Sequence, residues 1–93
     1  MTHRLAFDPT ARETYLALRK QPDDPLSRLL RDALTELATD PGARRVRELR
    51  YRPDTWGFRV RASDTRWLVL WRPSTTVSDV IDIYYIGPEP GEA

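Results

Sequence analysis

The sequence predicts an α+β domain: an N-terminal strand, two helices, and then a three- to four-stranded, mainly antiparallel sheet with the helices on one face. Three observations predict it. A continuous apolar stripe recurs at helical spacing between Leu26 and Ala38. The stretch WGFRVRASDTRWLVLW, residues 56–71, alternates apolar and polar side chains on either side of a short polar turn. The stretch VIDIYYIG, residues 80–87, is a nearly continuous apolar run of the kind found inside a sheet. With 93 residues the chain is one domain, assigned to residues 1–87, and PEPGEA at 88–93 reads as a flexible tail.

Taken in order, THRLAF alternates moderately and predicts a short first strand. Asp8-Pro9 supplies a helix cap and a first-turn proline, and Ala11, Tyr15 and Leu18 follow at helical spacing. QPDDP breaks that helix, and Asp24-Pro25 repeats the same start. Leu26, Leu29, Leu30, Ala33, Leu34, Leu37 and Ala38 make the second helix amphipathic, and TDPG ends it. RRVRELRY reads as a strand, although its arginines also permit a helix. WGFRVRA and TRWLVLWR form a hairpin across Ser63-Asp64, PSTTVSD is a loop, and VIDIYYIG is the last strand.

The composition excludes several classes of function. There is no cysteine, hence no disulfide, thiolate metal site or cysteine nucleophile. No apolar run is long enough for a signal peptide or a membrane span, so the expectation is a soluble, cytoplasmic protein. No Gly-rich phosphate loop, metal-ligand spacing or Ser–His–Asp pattern occurs, and neither cofactor nor metal is expected. His3 is the single histidine and reads as an exposed bystander.

The net charge of +1 conceals a strong segregation. Residues 1–43 carry six basic and seven acidic groups, residues 44–72 nine arginines against three acids, and residues 73–93 four acids and no base. On the first strand of the hairpin Trp56, Phe58 and Val60 share one face, and Gly57, Arg59 and Arg61 the other. Arg66 enters the next strand just past the turn. If helices cover the apolar face, the arginines converge on the uncovered one, where they suit a polyanion such as nucleic acid. The plainer alternative is a solvated face whose arginines pair with Glu48, Asp54 or Asp64. Trp56, Trp67 and Trp71 read as core, and Asp79 and Asp82 as solvated strand positions.

The order of elements and the motifs in LRYRPDTWGFRVRASDTRWLVLW (49–71) resemble the RelE/ParE superfamily of toxins from bacterial type II toxin–antitoxin systems. The matching features are FDPTAR after the opening strand, a leucine-rich second helix stopped by DP, and L-R before a strand. W-x-F-R-V-R, then D-x-R after the turn, and a last strand ending IG complete the pattern over almost the whole chain. The resemblance implies a toxin neutralised by a cognate antitoxin with an acidic, amphipathic segment. In the RelE branch it implies ribosome-dependent cleavage of mRNA, with the 2′-hydroxyl attacking the adjacent phosphate. It assigns Arg59 and Arg66 to catalysis and Arg50 to RNA contact; Arg52 and Arg61, from the same arginine-rich segment, are expected to bind RNA with it.

The chain departs from that branch at Gly57, where a basic residue is expected, and at Glu89, where an arginine is expected. No tyrosine follows the final IG; Tyr51, Tyr84 and Tyr85 are the candidates to substitute. Two other functions stay open on these residues: a ParE-like inhibitor of DNA gyrase acting by protein contacts, and a non-catalytic degenerate toxin or RNA-binding module.

Overall fold

The structure, a computed structural model, describes residues 2–90. β1 (Arg4–Phe7) leads into α1 (Pro9–Arg19) and α2 (Pro25–Thr39), and four strands follow: β2 (Leu49–Arg52), β3 (Thr55–Ala62), β4 (Thr65–Pro73) and β5 (Val80–Pro88). They form one five-stranded sheet in the order β1-β5-β4-β3-β2. β1 joins it parallel to β5, and every other pairing is antiparallel. The four strands after the helices are thus as the pattern predicts, and β1 adds a fifth.

Both helices start as the sequence suggests. The Asp8 carboxylate accepts from the Thr10 amide at 3.4 Å, that of Asp24 from the Leu26 amide at 2.9 Å, and a proline opens each helix. α2 buries Leu26, Leu30, Ala33, Leu34, Leu37 and Ala38, the predicted stripe apart from Leu29, which is half-buried against the core. Ser27 is also buried, and its hydroxyl donates to the Leu18 carbonyl at 3.1 Å, tying the end of α1 to the start of α2. α1 packs over β5 and α2 over β3. The core lies between the helices and the face of the sheet that carries Phe58, Val60, Val69, Trp71, Ile81, Ile83 and Ile86.

One element differs from expectation. Residues 44–47 form a turn of 3₁₀ helix, and β2 begins only at Leu49. A strand would carry Arg44 and Val46 on one face and force a guanidinium toward the core. The tighter turn buries Val46 alone and leaves its arginines outside. Trp71 fixes the turn: its indole N–H donates to the Val46 carbonyl at 2.8 Å in a fully buried bond. Arg47 lies outside that joint, its guanidinium 4.7 Å from the Trp56 ring and 5.6 Å from the Trp71 ring. Asp79, expected in a strand, sits in the turn before β5 with a φ of 61°.

At the other end of the chain the pairing extends through Glu89, whose amide donates to the Arg66 carbonyl at 2.9 Å. Residues 91–93 of the expected tail lie outside the described residues. No described helix is long and apolar enough to cross a membrane.

The β3–β4 turn has Ser63 at a φ of 54°, in the left-handed region where a side chain is costly and glycine is not. That cost is about 1–2 kcal/mol for an ordinary residue, against about 0.4–1 kcal/mol for the added freedom of glycine when unfolded. Ser63→Gly is therefore expected to stabilise the fold by roughly 0.5–1 kcal/mol, read as a rise in Tm of about 2–8 °C. An unchanged or lower Tm would show that the turn does not impose this strain.

Candidate functional site

Cross-strand partners share a face, so the register fixes what lies on the side the helices leave bare. Gly57 faces Leu70, Arg59 faces Leu68, and Arg61 faces Arg66. Leu49 of β2 faces Gly57, and Arg52 faces Thr55. On β4 this face continues through Arg72, which stands opposite Asp82 of β5. β5 carries a bulge against Leu70 and Trp71, so that Tyr84 and Tyr85 both turn to the bare side between the core residues Ile83 and Ile86.

Glycine at position 57 has a packing reason. A Cβ there would stand 2.8 Å from Leu70 Cδ2 and 3.3 Å from the Val69 carbonyl oxygen. Leu70 fills the space that a basic side chain on β3 would need.

Arg59 is the centre of this face, and it is not free. Its Nε donates to both oxygens of Glu89 at 3.1 Å, and its Nη1 donates to Glu48 Oε2 at 2.9 Å. The Arg59 amide donates to the other Glu48 oxygen, also at 2.9 Å. Glu48 precedes β2 and Glu89 follows β5, so two chain segments far apart in sequence close on one guanidinium from either side. Hydrogen bonding to Glu89 first, and then to Glu48, raises the Arg59 pKa. Partial burial pushes the Glu48 carboxyl up, but the backbone and side-chain hydrogen bonds of Arg59, with the charges of Arg59 and Arg61, outweigh it and hold its pKa below the ordinary value.

This has a consequence for pH. A carboxyl whose folded pKa is depressed contributes stability above its unfolded value, and the contribution disappears as pH falls through the folded pKa. For Glu48 the loss begins near the ordinary value of 4.5 and continues below it. Glu48→Gln is expected to flatten the acid limb of a Tm–pH curve below that point and to leave its shape at neutral pH unaltered. Parallel curves for the two proteins would show that the Arg59–Glu48 contact is not formed in solution.

The other expected site residues divide. Arg61 and Arg66 stand opposite each other, both exposed, and neither has an ion-pair partner among the described residues. Arg66 is thus brought beside Arg61 and one register step from Arg59, an uncommitted guanidinium pair suited to phosphate. Arg52 belongs to the same face but lies toward its other end, by Thr55. Arg50 does not join them. It pairs with Trp56 on the helix side, where its guanidinium is 5.0 Å from the Trp56 ring and donates to the Pro53 carbonyl at 2.9 Å.

The sequence reading did not single out Arg72 and named Tyr84 only as a candidate to replace the missing tyrosine, without placing it on this face. Arg72 was legible in principle, because 66, 68, 70 and 72 keep one period-two face. Tyr84 was not, because nothing local announces the bulge. Against the arginines stand Glu48, Glu89, Asp54 and Asp82, so the face is a mixed field with one uncommitted cationic pair rather than a uniformly basic surface.

No family model matches the chain, and no curated protein matches it in sequence. Solved structures match it in fold. The isolated RelE toxin of E. coli aligns at a TM-score of 0.69 and 18% identity, covering 97% of this chain and 87% of that one. A free E. coli RelE variant with two arginine-to-alanine substitutions aligns at 0.67 and 19% identity, covering 95% and 84%. The architecture of the chain is therefore that of RelE toxins.

Proposed function

We propose that this chain, built on the RelE toxin fold, is the toxin of a type II toxin–antitoxin pair and an endoribonuclease that cuts mRNA on the ribosome. The observation that carries the reading is the bare sheet face on which Arg61 and Arg66 stand uncommitted beside the Arg59–Glu48 pair. In this scheme a 2′-hydroxyl attacks the adjacent phosphorus, its proton passes to solvent, and the 5′-oxygen leaves with a proton from solvent. Arg59 and Arg66 stabilise the extra negative charge on the phosphoryl oxygens, as preorganised cations do. Glu48 holds the Arg59 guanidinium at 2.9 Å and so positions it for that role. Arg61 and Arg52 bind the strand. The partner is an antitoxin whose acidic segment covers these arginines, and both proteins act in the cytoplasm.

A second reading has one specific observation in its favour. With Arg59 taken by two carboxylates the phosphate must displace one of them, and a ParE-like gyrase inhibitor would need no such step.

The test is induced expression in a bacterial host, with growth followed and mRNA ends mapped by primer extension. Growth arrest with new cuts within codons is the expected result. Arrest with intact mRNA and gyrase-dependent DNA damage would replace this reading with the second. Normal growth would leave a non-catalytic binding module.

A further inference from the structure

At the end of the bare face away from Arg66 the sheet holds a cleft of about 440 Å³, lined by Tyr51, Arg52, Thr55, Leu70, Arg72 and Tyr84. Its size lies within the range of about 300–1,000 Å³ usual for small-ligand sites. On two of its lining residues, Arg72 Nε and the Tyr84 hydroxyl are buried and have no hydrogen-bond partner among the described residues. Buried donors are seldom left in that state, and both belong to side chains that line the cleft. The Arg72 guanidinium lies 4.8 Å from the centre of the Tyr84 ring, which keeps the two groups together. Its only ion pair among the described residues is a loose one, 3.7 Å from Nη1 to Asp54, well beyond a charge-assisted hydrogen bond of about 2.7–2.9 Å.

The chemistry of the walls selects the ligand. A guanidinium N–H only donates, and the tyrosine hydroxyl is free to donate, so what satisfies both is an acceptor, best an anionic oxygen. Arg52 adds a second guanidinium on the same side. Tyr51 contributes a ring that is 55% exposed, an unusual cost for a large aromatic unless a flat group stacks on it. Phosphate for the arginines and an aromatic base for the tyrosine describe a nucleotide. An acidic peptide would satisfy the donors but would leave the ring without a role.

We infer that the cleft of Tyr51, Arg52, Arg72 and Tyr84 is a nucleotide-binding subsite, separate from the Arg59–Arg66 region. Arg66 and Arg72 are six residues apart on β4, so the two places are about 20 Å apart along the strand. An RNA chain engaged at Arg66 reaches the cleft with a nucleotide a few positions away. The subsite holds that nucleotide by stacking and phosphate contact, with little selection of the base. In this form the inference rests on the RNA reading proposed above, and a free nucleotide is the other source of the same chemistry.

Binding rather than cleavage tests it. Amide NMR spectra of the intact chain are recorded with adenosine 5′-monophosphate and with inorganic phosphate. The affinity of a labelled single-stranded RNA hexamer is measured for wild type, Tyr51→Ala, Tyr84→Phe, Arg72→Gln and Arg66→Ala. Tyr51→Ala changes an exposed ring and Tyr84→Phe removes only an oxygen, so both are expected to fold. The expected result is that the mononucleotide shifts the amides around Tyr51, Arg72 and Tyr84. Tyr51→Ala should weaken the hexamer roughly 5- to 150-fold, the usual range for losing one stacked base. Mononucleotide shifts in the cleft without hexamer binding would keep the subsite, as a free-nucleotide site, and remove the RNA reading. Hexamer binding that depends on Arg66 but not on Tyr51, Tyr84 or Arg72 would remove the subsite and keep the RNA reading. Inorganic phosphate producing the same shifts at the same concentration, or an oligoglutamate peptide competing in a Tyr51-independent way, would overturn the nucleotide assignment.

Discussion

In the ribonuclease reading, Arg59→Ala is expected to lower RNA cleavage by more than Arg66→Ala, although Arg66 is the more exposed of the two. Removing one preorganised electrostatic contact from a transition state costs about 10²–10³-fold, and Arg66→Ala should fall in that range. Arg59→Ala loses the same contact and does something further. It strips the partner from Glu48 and Glu89, whose oxygens lie 2.9 and 3.1 Å from that guanidinium, and leaves two carboxylates facing the incoming phosphate. Like charges brought together in this way repel the substrate as well as each other. The diagnostic variant is Arg59→Ala combined with Glu89→Gln, which should recover part of the loss because one repelling charge has gone. Cleavage rates on programmed ribosomes decide the matter. Equal losses for the two arginines, with no recovery in the combined variant, would show that the carboxylates are bystanders.

The largest effect on stability is expected at Trp71. This side chain is fully buried at the register position that joins β3, β4 and β5, and its indole N–H is bonded to the Val46 carbonyl. Truncating a large buried aromatic to alanine costs about 3–5 kcal/mol, a large share of the roughly 5–15 kcal/mol that holds a small domain together. Trp71→Phe keeps most of the volume and loses the hydrogen bond, leaving a buried carbonyl at a cost of about 1–3 kcal/mol. Thermal or urea unfolding of both variants measures the two contributions. Hydrogen exchange adds a spatial check: Trp71→Phe should speed exchange around residues 44–48 more than in α1. A uniform loss of protection would mean that the indole fills space without fixing the turn.

Much of the fold was legible because its causes are local. The stripe of α2 follows from helical period, the two Asp-Pro starts from capping, and the faces of 56–62 from strand alternation. The positions of Arg59, Arg61 and Arg66 on one bare face were legible for the same reason; the departure at Gly57 was legible only through the resemblance. What could not be read depends on contacts between distant segments. RRVR forms a 3₁₀ turn because Val46 meets Trp71, twenty-five residues later. Arg50 and Arg52 part to opposite faces because the register shifts between them, and Tyr84 joins Tyr85 through a bulge. Glu89 had registered only as a missing arginine; the fold brings its carboxylate against Arg59.

The pairing of β1 with β5 sets an order on biosynthesis. Arg4 is bonded into the sheet beside Val80, so the first strand made waits for the last before it has a neighbour. Until then β4 and β1 lack the strand that lies between them. Contacts of such long sequence separation make folding slower than in a helical protein of the same size. Glu89, which closes over Arg59, comes later still. A chain interrupted before residue 80 therefore has helices and a hairpin but no finished face, and the arginines of that face are still without the strand and the carboxylate that frame them.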